Sequence, residues 1–443
     1  MHCMIISRFC SYPSVYGPAQ HARTFAKLLK INGHQVSILS GEFIDEIEYT
    51  SQDGYNLIKV PIKKISNTVE RSIEITLRNQ NDRHYAKTVF KKYKPDIVHI
   101  GVPKQLSVYI DEVVSKKIPI TSILHSYEWY CVLGHLIDSN GNNCEGPEND
   151  KKCFNCVVGS LSKKRKIAFY ISKVLGQLLP KTILMKSKIL NSHDIVKNLF
   201  FEAFNYLKVI RKHTSVMIVQ NEFSFKFFRK YSLENQRSIF LKQWLTDNKL
   251  EHHNPLYLRK DSVLRIGYAG GIGYYKGIDI IVAALDHINQ TSKIEFWLLS
   301  TGVDEYTIKK KFPSLIENHN FRLFNDLVNE DKYLSTLSSL DVCIIPSICY
   351  ETGPRVAIES IAQKVPCVAS DTVGNKYLIM DDINGKIFQS GNHIKLAEII
   401  LNLLHDRSIL KKWRKNLPQI QNWKTWYKKI ENLHLDELTK NEN

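Results

Sequence analysis

The sequence predicts an α/β protein made of two doubly wound domains, and three observations carry that prediction. Short apolar, β-branched runs recur with amphipathic stretches between them, so each run reads as a strand buried on both faces and each interval as a covering helix. The runs fall into two series on either side of a polar, proline-containing stretch at 251–261 (EHHNPLYLRKD). The chain has 443 residues, 43% hydrophobic and 24% charged, which is enough for two cores and excludes a disordered or fibrous chain.

In the first series the runs are 3–7, 35–39, 97–100, 118–124 and 216–220. Gly17 makes a turn after the first of them. An amphipathic helix follows, and Gly33-His34 precedes the second strand. In the second series the runs are 264–268, 293–299, 321–324, 342–346 and 367–369. The last thirty or so residues read as an amphipathic helix in which Trp413, Trp423 and Trp426 are packing anchors. The predicted domains are 1–258 and 259–415. The first includes a Cys-rich insertion at 128–160 and a basic amphipathic segment at 161–190, and a terminal helix at 416–443 is expected to pack back on it. Two such domains leave a cleft facing the C-terminal ends of both sheets, where open α/β sheets bind ligands.

Lys and Arg exceed Asp and Glu by 61 − 44 = 17. A basic excess of this size favours acidic partners, whether nucleic acid, anionic lipid or phosphorylated substrates, without choosing among them. The start MHCMIISRFC runs into a strand pattern with no signal-peptide organisation. The best candidate span, 167–185, is interrupted by Lys173, Gln177, Pro180 and Lys181. Nine cysteines cannot all pair within the chain. A cytoplasmic protein with reduced thiols or a metal site is the expectation.

Two segments carry the chemistry. In 347–371 (SICYETGPRVAIESIAQKVPCVASD) a buried strand ends in a loop with Glu351, Thr352 and Gly353. Pro354 is placed to open a helix, and Glu359 lies on that helix eight positions after Glu351. Glycine lets the backbone approach a ligand closely, and a helix N-terminus offers free N–H groups to an anion. A carboxylate on the helix can accept two vicinal hydroxyls, as a ribose presents them. In 264–285 (LRIGYAGGIGYYKGIDIIVAAL) a strand runs into a loop of glycines, then Lys276-Gly277, then a helix. This suits a diphosphate, with Lys276 as a point charge; it is neither a Walker loop nor GxGxxG.

The first of these segments resembles the Glu–seven residues–Glu motif of the retaining family 4 glycosyltransferases, which have the two-domain GT-B fold. The glycine loop with Lys276-Gly277, the strand ending in His125, the loop at Gly17 and the Asn384-Gly385 turn are similar to that family in the same order. The resemblance implies two Rossmann-like domains facing a cleft and transfer of a sugar from a nucleotide-sugar donor (UDP- or GDP-sugar) with retention and without a catalytic metal. Catalytic roles fall to Glu351, His125 and Lys276, and donor contacts to Glu359, Gly353, Thr352, Arg355, Gly271 and Gly17. The chain departs from the family pattern at Gly271, where an Arg is common, and at Pro18, where a second glycine is usual. Arg355 is the candidate for the missing charge. No Asp-x-Asp occurs in the chain to hold a divalent ion.

Cys131, Cys144, Cys153 and Cys156 form C-x12-C-x8-C-x2-C, a spacing that suits a structural zinc, with an iron–sulfur cluster or free thiols as alternatives. Some family 4 members look similar here. From Lys151 to His193 the chain is basic without a single acid, with Phe169, Tyr170, Ile171 and Leu175 interleaved, which suggests contact with an anionic membrane surface. The expected acceptor is therefore a glycan or lipid-linked intermediate of envelope or capsule polysaccharide, and the expected place is the cytoplasmic face of a membrane. A GT-B-like nucleotide-sugar epimerase and a catalytically silent nucleotide- or partner-binding module are the alternatives; nucleic acid is not expected as a partner.

Overall fold

The computed structural model describes residues 1–12, 14, 17–63, 83–178, 192–232, 236–241, 263–288, 293–327, 330–372, 374, 378–420 and 423–442. It divides into two compact units. One comprises Met1–Val219, Ser224–Phe240 and Ile430–Asn443, the other Gln220–Phe223 and Leu241–Lys429. The polar stretch 251–261 expected to separate the domains, and 179–190 of the basic segment, lie outside the described residues.

In the first unit the chain forms, in order, β1 (His2–Arg8), α1 (Gly17–Ile31), β2 (Gln35–Glu42), β3 (Glu48–Gln52), β4 (Tyr55–Pro61), α2 (Arg83–Tyr93), β5 (Ile97–Ile100), α3 (Ser107–Ser115) and β6 (Ile120–Ile123). The excursion after β6 contains α4 (Asp150–Gly159), α5 (Lys163–Leu178) and α6 (Ser192–His213), followed by β7 (Thr214–Val219), α7 (Glu222–Tyr231) and β8 (Arg237–Phe240). The sheet order is β3-β4-β2-β1-β5-β6-β7-β8, parallel except for the β3–β4 hairpin. All seven residues of β1 are buried, which is why its sequence reads as a continuous apolar run rather than an alternating one.

The second unit runs β9 (Leu264–Ala269), α8 (Ile278–Asp286), β10 (Ile294–Leu299), α9 (Glu305–Lys311), α10 (Pro313–Asn318), β11 (Asn320–Phe324), α11 (Glu330–Ser338) and β12 (Val342–Ile345). It continues with α12 (Arg355–Ala362), β13 (Cys367–Ser370), β14 (Gly385–Phe388), α13 (His393–His405) and α14 (Ser408–Lys415). Its sheet is wholly parallel, in the order β11-β10-β9-β12-β13-β14. Alternate residues of the central strands feed different cores. Ile266, Leu298, Ile344 and Val368 pack with Ile281 and Leu285 of α8 and with α13, whereas Leu299, Ile345 and Ala369 pack with Ile358 and Ile361 of α12. Period-2 alternation between two dry faces is what a doubly covered sheet requires. The strand order reverses between β9 and β12, so the loops leaving these two strands flank a topological switch point.

The last helix, α15 (Trp423–Glu442), belongs with the first unit from Ile430 onward. There Glu431 accepts from Asn32 Nδ2 at 2.8 Å and pairs with His34 at 2.8 Å. His434, fully buried, lies 2.8 Å from Thr121 Oγ1, and Glu437 pairs with Arg237. Trp413, Trp423 and Trp426 are all buried. No helix among the described residues is long and apolar enough to cross a membrane.

Candidate functional site

The switch point of the second sheet brings the two motif loops together. The glycine loop leaves β9 and turns through a short 3-10 segment, Tyr274–Lys276, into α8. Gly277 has φ +74°, and a Cβ there would stand 2.1 Å from the Pro346 carbonyl oxygen, so only glycine fits where this loop crosses the end of β12. The Tyr275 carbonyl accepts the Ile348 N–H at 3.0 Å, a second tie between the loops.

Through these ties Lys276 Nζ lies 2.8 Å from Glu351 Oε1, and the Ser347 hydroxyl donates to the same oxygen at 2.6 Å. The Glu351 backbone is fixed too. Its carbonyl accepts Asn221 Nδ2 at 2.9 Å, and Gly374 packs so closely that a Cβ would come within 2.5 Å of it. Burial alone would raise the Glu351 carboxyl, but the Lys276 ammonium and the Ser347 hydroxyl hold it below the usual carboxylate range. Burial likewise pulls on Lys276, and Glu351 outweighs it, so the ammonium sits above its ordinary value. Both groups are charged at neutral pH, and the Lys276 side chain remains 35% exposed.

Thr352 is buried and Gly353 adopts φ +151° just before Pro354, which is the N-cap of α12, so the helix starts at Arg355, one position later than the sequence suggests. Glu359, on the second turn of α12, is 6% exposed. Its two oxygens are engaged within the unit, Oε2 by the Tyr333 hydroxyl at 2.7 Å and Oε1 by the Arg355 guanidinium one turn earlier. Arg355, the candidate for a second diphosphate cation, is thus spent in part on Glu359. Gly271 has open space where a Cβ would project, and its carbonyl accepts the Tyr268 hydroxyl at 2.6 Å.

In the first unit, Gly17 opens α1 and also faces open space. His125 follows β6, and its ring meets the His21 ring edge-on at 4.9 Å. Burial lowers it to about 3, so the imidazole is neutral at physiological pH. Behind it runs a chain that no sequence motif signals. His21 Nε2 lies 3.2 Å from His99 Nε2, His99 Nδ1 lies 3.0 Å from Thr121, and Thr121 bridges to His434. Sequence reasoning also missed a charged group at the C-terminal ends of the central strands, where Arg8 pairs with Glu128 at 3.8 Å and the half-buried Lys104 feels both of them. Burial depresses Lys104, since an ammonium out of water costs more than Glu128 returns.

The four cysteines of the insertion line one cavity of about 220 Å³. As the side chains stand, no group of three or more His, Cys, Asp or Glu among the described residues is gathered to hold a metal ion. The expected tetrahedral set is therefore not drawn together here; protonated thiols have no mutual attraction that would hold four sulfurs in contact.

Two Rossmann-like units with parallel sheets make this a GT-B glycosyltransferase fold. Sucrose-phosphate synthase from Thermosynechococcus elongatus superposes with a TM-score of 0.66 at 16% identity, covering 99% of this chain and 100% of that one. The lipopolysaccharide glycosyltransferase WaaG superposes at 0.61 and 13% identity, covering 94% of each. HepE of Anabaena, solved in complex with UDP-glucose, superposes at 0.57 and 14% identity, covering 93% of each.

Residues 255–419, which hold both motif loops, match the family model for glycosyl transferases group 1. An uncharacterized glycosyltransferase of Methanocaldococcus jannaschii is 23% identical over 230 residues, 48% of this chain and 63% of the relative, so the match spans a little under two thirds of that protein.

Proposed function

We propose that this chain is a retaining, metal-independent glycosyltransferase of family 4 type that moves a sugar from a nucleotide-sugar donor to a glycan or lipid-linked acceptor. The observation that carries the proposal is the meeting of Lys276 and Glu351 at the switch point, 2.8 Å apart, inside the segment that matches glycosyl transferases group 1. Transfer breaks the bond between the anomeric carbon and the diphosphate, so negative charge grows on the departing phosphate. A permanently charged Lys276, part exposed beside the open glycine loop, is placed to meet that charge. Glu351 is held ionised, so it acts as a hydrogen-bond acceptor that orients sugar hydroxyls and aims Lys276, not as a proton donor. Glu359, buried and oriented by Tyr333 and Arg355, serves the ribose. Gly353 and Gly17 allow close backbone approach, and neutral His125 offers an uncharged contact to the donor sugar. A UDP- or GDP-linked sugar fits this reading, and UDP-glucose in the HepE structure is in line with it.

The acceptor reading rests on α5. Ile167, Tyr170, Ile171 and Val174 follow helical spacing along one stripe and are 47% to 60% exposed, an unusual cost for apolar side chains left in water. Lys163, Lys164, Arg165, Lys166 and Lys173 share the helix. An apolar stripe on a cationic helix is complementary to an anionic bilayer surface, so we place the acceptor on a lipid at the cytoplasmic face. Sedimentation with phosphatidylglycerol vesicles tests this. The wild type should pellet, a double Ile167→Glu, Val174→Glu variant should remain in solution, and equal behaviour of the two would remove the membrane from the proposal.

A panel of nucleotide sugars tests the donor half by thermal shift and nucleotide release. The wild type should be stabilised by one nucleotide class and hydrolyse it slowly, with both responses lost in Glu359→Ala. Donor binding without turnover in the presence of acceptor lipids would favour a silent binding module instead.

A further inference from the structure

The first sheet has a switch point of its own. Its strand order reverses between β1 and β5, so the loops leaving these two strands flank a crevice of the kind in which open α/β sheets hold ligands. Each loop is bent by a residue in the left-handed region, Phe9 at φ +56° and Gln105 at φ +68°. A bulky side chain rarely accepts that conformation, and such strain gathers at ligand sites. The Phe9 N–H donates to the Gly41 carbonyl at 3.0 Å, and Gln105 Nε2 donates to the Lys63 carbonyl at 2.8 Å, which hold the two bends in place.

The bends bring together side chains that have no part in the donor site. Arg8 ends β1 with its stem over Gly41, and Leu106 of the β5 loop reaches the same spot. Each has a carbon 3.3 Å from where a Gly41 Cβ would stand. Lys104, two residues before Leu106, is half-buried. The Arg8 guanidinium lies 5.9 Å from the centre of the Phe9 ring, and that ring meets Phe43 at 5.0 Å. Phe43 follows β2 and is 53% exposed. Glu128 stands in the short turn after β6, between the buried Tyr127 and Trp129. Its Oε1 is 3.8 Å from Arg8, whereas its Oε2 is buried and accepts no hydrogen bond among the described residues. A carboxylate oxygen out of water and without a donor is costly, and a ligand hydroxyl would supply one. Burial depresses the Lys104 ammonium, Glu128 works against that and Arg8 adds to it, so a bound anion would relieve the site.

We propose that this crevice binds the acceptor, and that the acceptor sugar carries a phosphate. Arg8 and Lys104 take the phosphate, two cations against the one Glu128 carboxylate. The Phe9–Phe43 pair is an apolar platform for the sugar ring, and Glu128 Oε2 accepts one of its hydroxyls. Calling the ligand an acceptor rests on the glycosyltransferase reading; the binding of a phosphorylated sugar does not. A soluble sugar phosphate and the sugar diphosphate of a lipid-linked intermediate present the same chemistry.

Isothermal titration of the full-length chain tests this. The probes are glucose, glucose 1-phosphate, glucose 6-phosphate and a water-soluble, short-prenyl diphosphate-linked N-acetylglucosamine. At least one phosphorylated probe should bind and glucose should not. Lys104→Gln should weaken binding about tenfold or more, the ordinary cost of one hydrogen bond to a charged group, and Phe43→Ala several-fold. Arg8 is buried and its removal can unfold the chain, so these two variants carry the test, with circular dichroism as the check on folding. Tighter binding of the prenyl probe assigns the phosphate to a lipid-linked acceptor, and tighter binding of a glucose phosphate to a soluble one. Donor binding is titrated separately, so sugar-phosphate binding without any donor binding would overturn the glycosyltransferase reading and leave the site standing. Four results would overturn the site: no binding of any phosphorylated probe by folded wild type, equal affinity for glucose, equal binding by wild type and both variants, or displacement of the probe by UDP or GDP.

Discussion

Lys276 and Glu351 set each other's charge, and that pairing gives the sharpest single-residue expectations. Lys276→Ala should lower kcat about 10²- to 10³-fold, the usual cost of removing one preorganised stabiliser of developing negative charge, with a smaller change in donor Kd, as measured by steady-state kinetics at saturating donor. Glu351 is ionised in the fold with its carboxyl held below the ordinary range. The ion pair therefore contributes its stability between the unfolded carboxyl value of about 4.3 and the unfolded lysine value of about 10.4, and loses it as pH falls through the lowered folded carboxyl value or rises through the raised folded lysine value. The buried histidines act earlier. His125 and His434 are each lowered by burial to about 3, so the unfolded chain binds more protons from about pH 6.5 downward and stability declines over that window. The melting temperature should fall between pH 7.5 and 5, and His434→Asn should shrink that fall; an equal fall in both proteins would dissociate the cluster from acid sensitivity. At this scale the sequence shows Lys276, Glu351 and Glu359 as members of contiguous motifs. Tyr333 and Asn221 are invisible there because each arrives from a different element and acquires its role only when the sheet closes, and Ser347, though inside the motif, carries no mark of its bond to Glu351. The Arg355–Glu359 pair follows from helical i,i+4 spacing, which the sequence already contains.

Among the elements, the loop between β9 and α8 separates two kinds of glycine. Gly277 is confined by its positive φ and by the Pro346 carbonyl, so Gly277→Ala should cost several kcal/mol, on the order of the larger backbone-strain and overpacking effects, read from urea unfolding of the purified chain. Gly271 is confined by nothing. Gly271→Arg should leave stability unchanged and tighten donor binding several-fold by adding a second cation beside the diphosphate. Unchanged affinity would mean that the diphosphate does not lie over this loop. The elements most legible in the sequence are the central strands, because burial on both faces forces continuous apolar runs. Those missed are peripheral. β3 is the exposed, antiparallel edge strand EYTSQ, and β14 has only four residues, GKIF, that begin with the glycine of the Asn384-Gly385 turn. β4 and β8 carry enough polar or half-buried positions to blur the run. Edge strands lack the hydrophobic demand that makes inner strands visible.

For the whole molecule, the C-terminal helix is part of the first unit's interior from Ile430 onward. His434 and Glu431 are buried against Thr121, His99, Cys3, Asn32 and His34, so removal of residues 430–443 would leave these polar groups facing a void. A chain truncated after Lys429 should be insoluble or should melt many degrees lower by circular dichroism, through uncompensated buried polar groups. The two-series organisation of the sequence is clear because each series builds its own sheet. The tail's destination is not clear, since nothing local in WKTWYKKIENLHLDELTKNE states which core receives it. The account as a whole turns on whether the switch point of the second unit binds and activates a nucleotide sugar. Isothermal titration of the wild type, Lys276→Ala and Glu359→Ala with UDP- and GDP-sugars, paired with nucleotide release from the same samples, tests this most directly. One nucleotide class should bind the wild type and be released as free nucleotide, Glu359→Ala should lose binding, and Lys276→Ala should bind but release nucleotide at least about a hundredfold more slowly. Equal binding and release by all three proteins, or no binding by any, would contradict it.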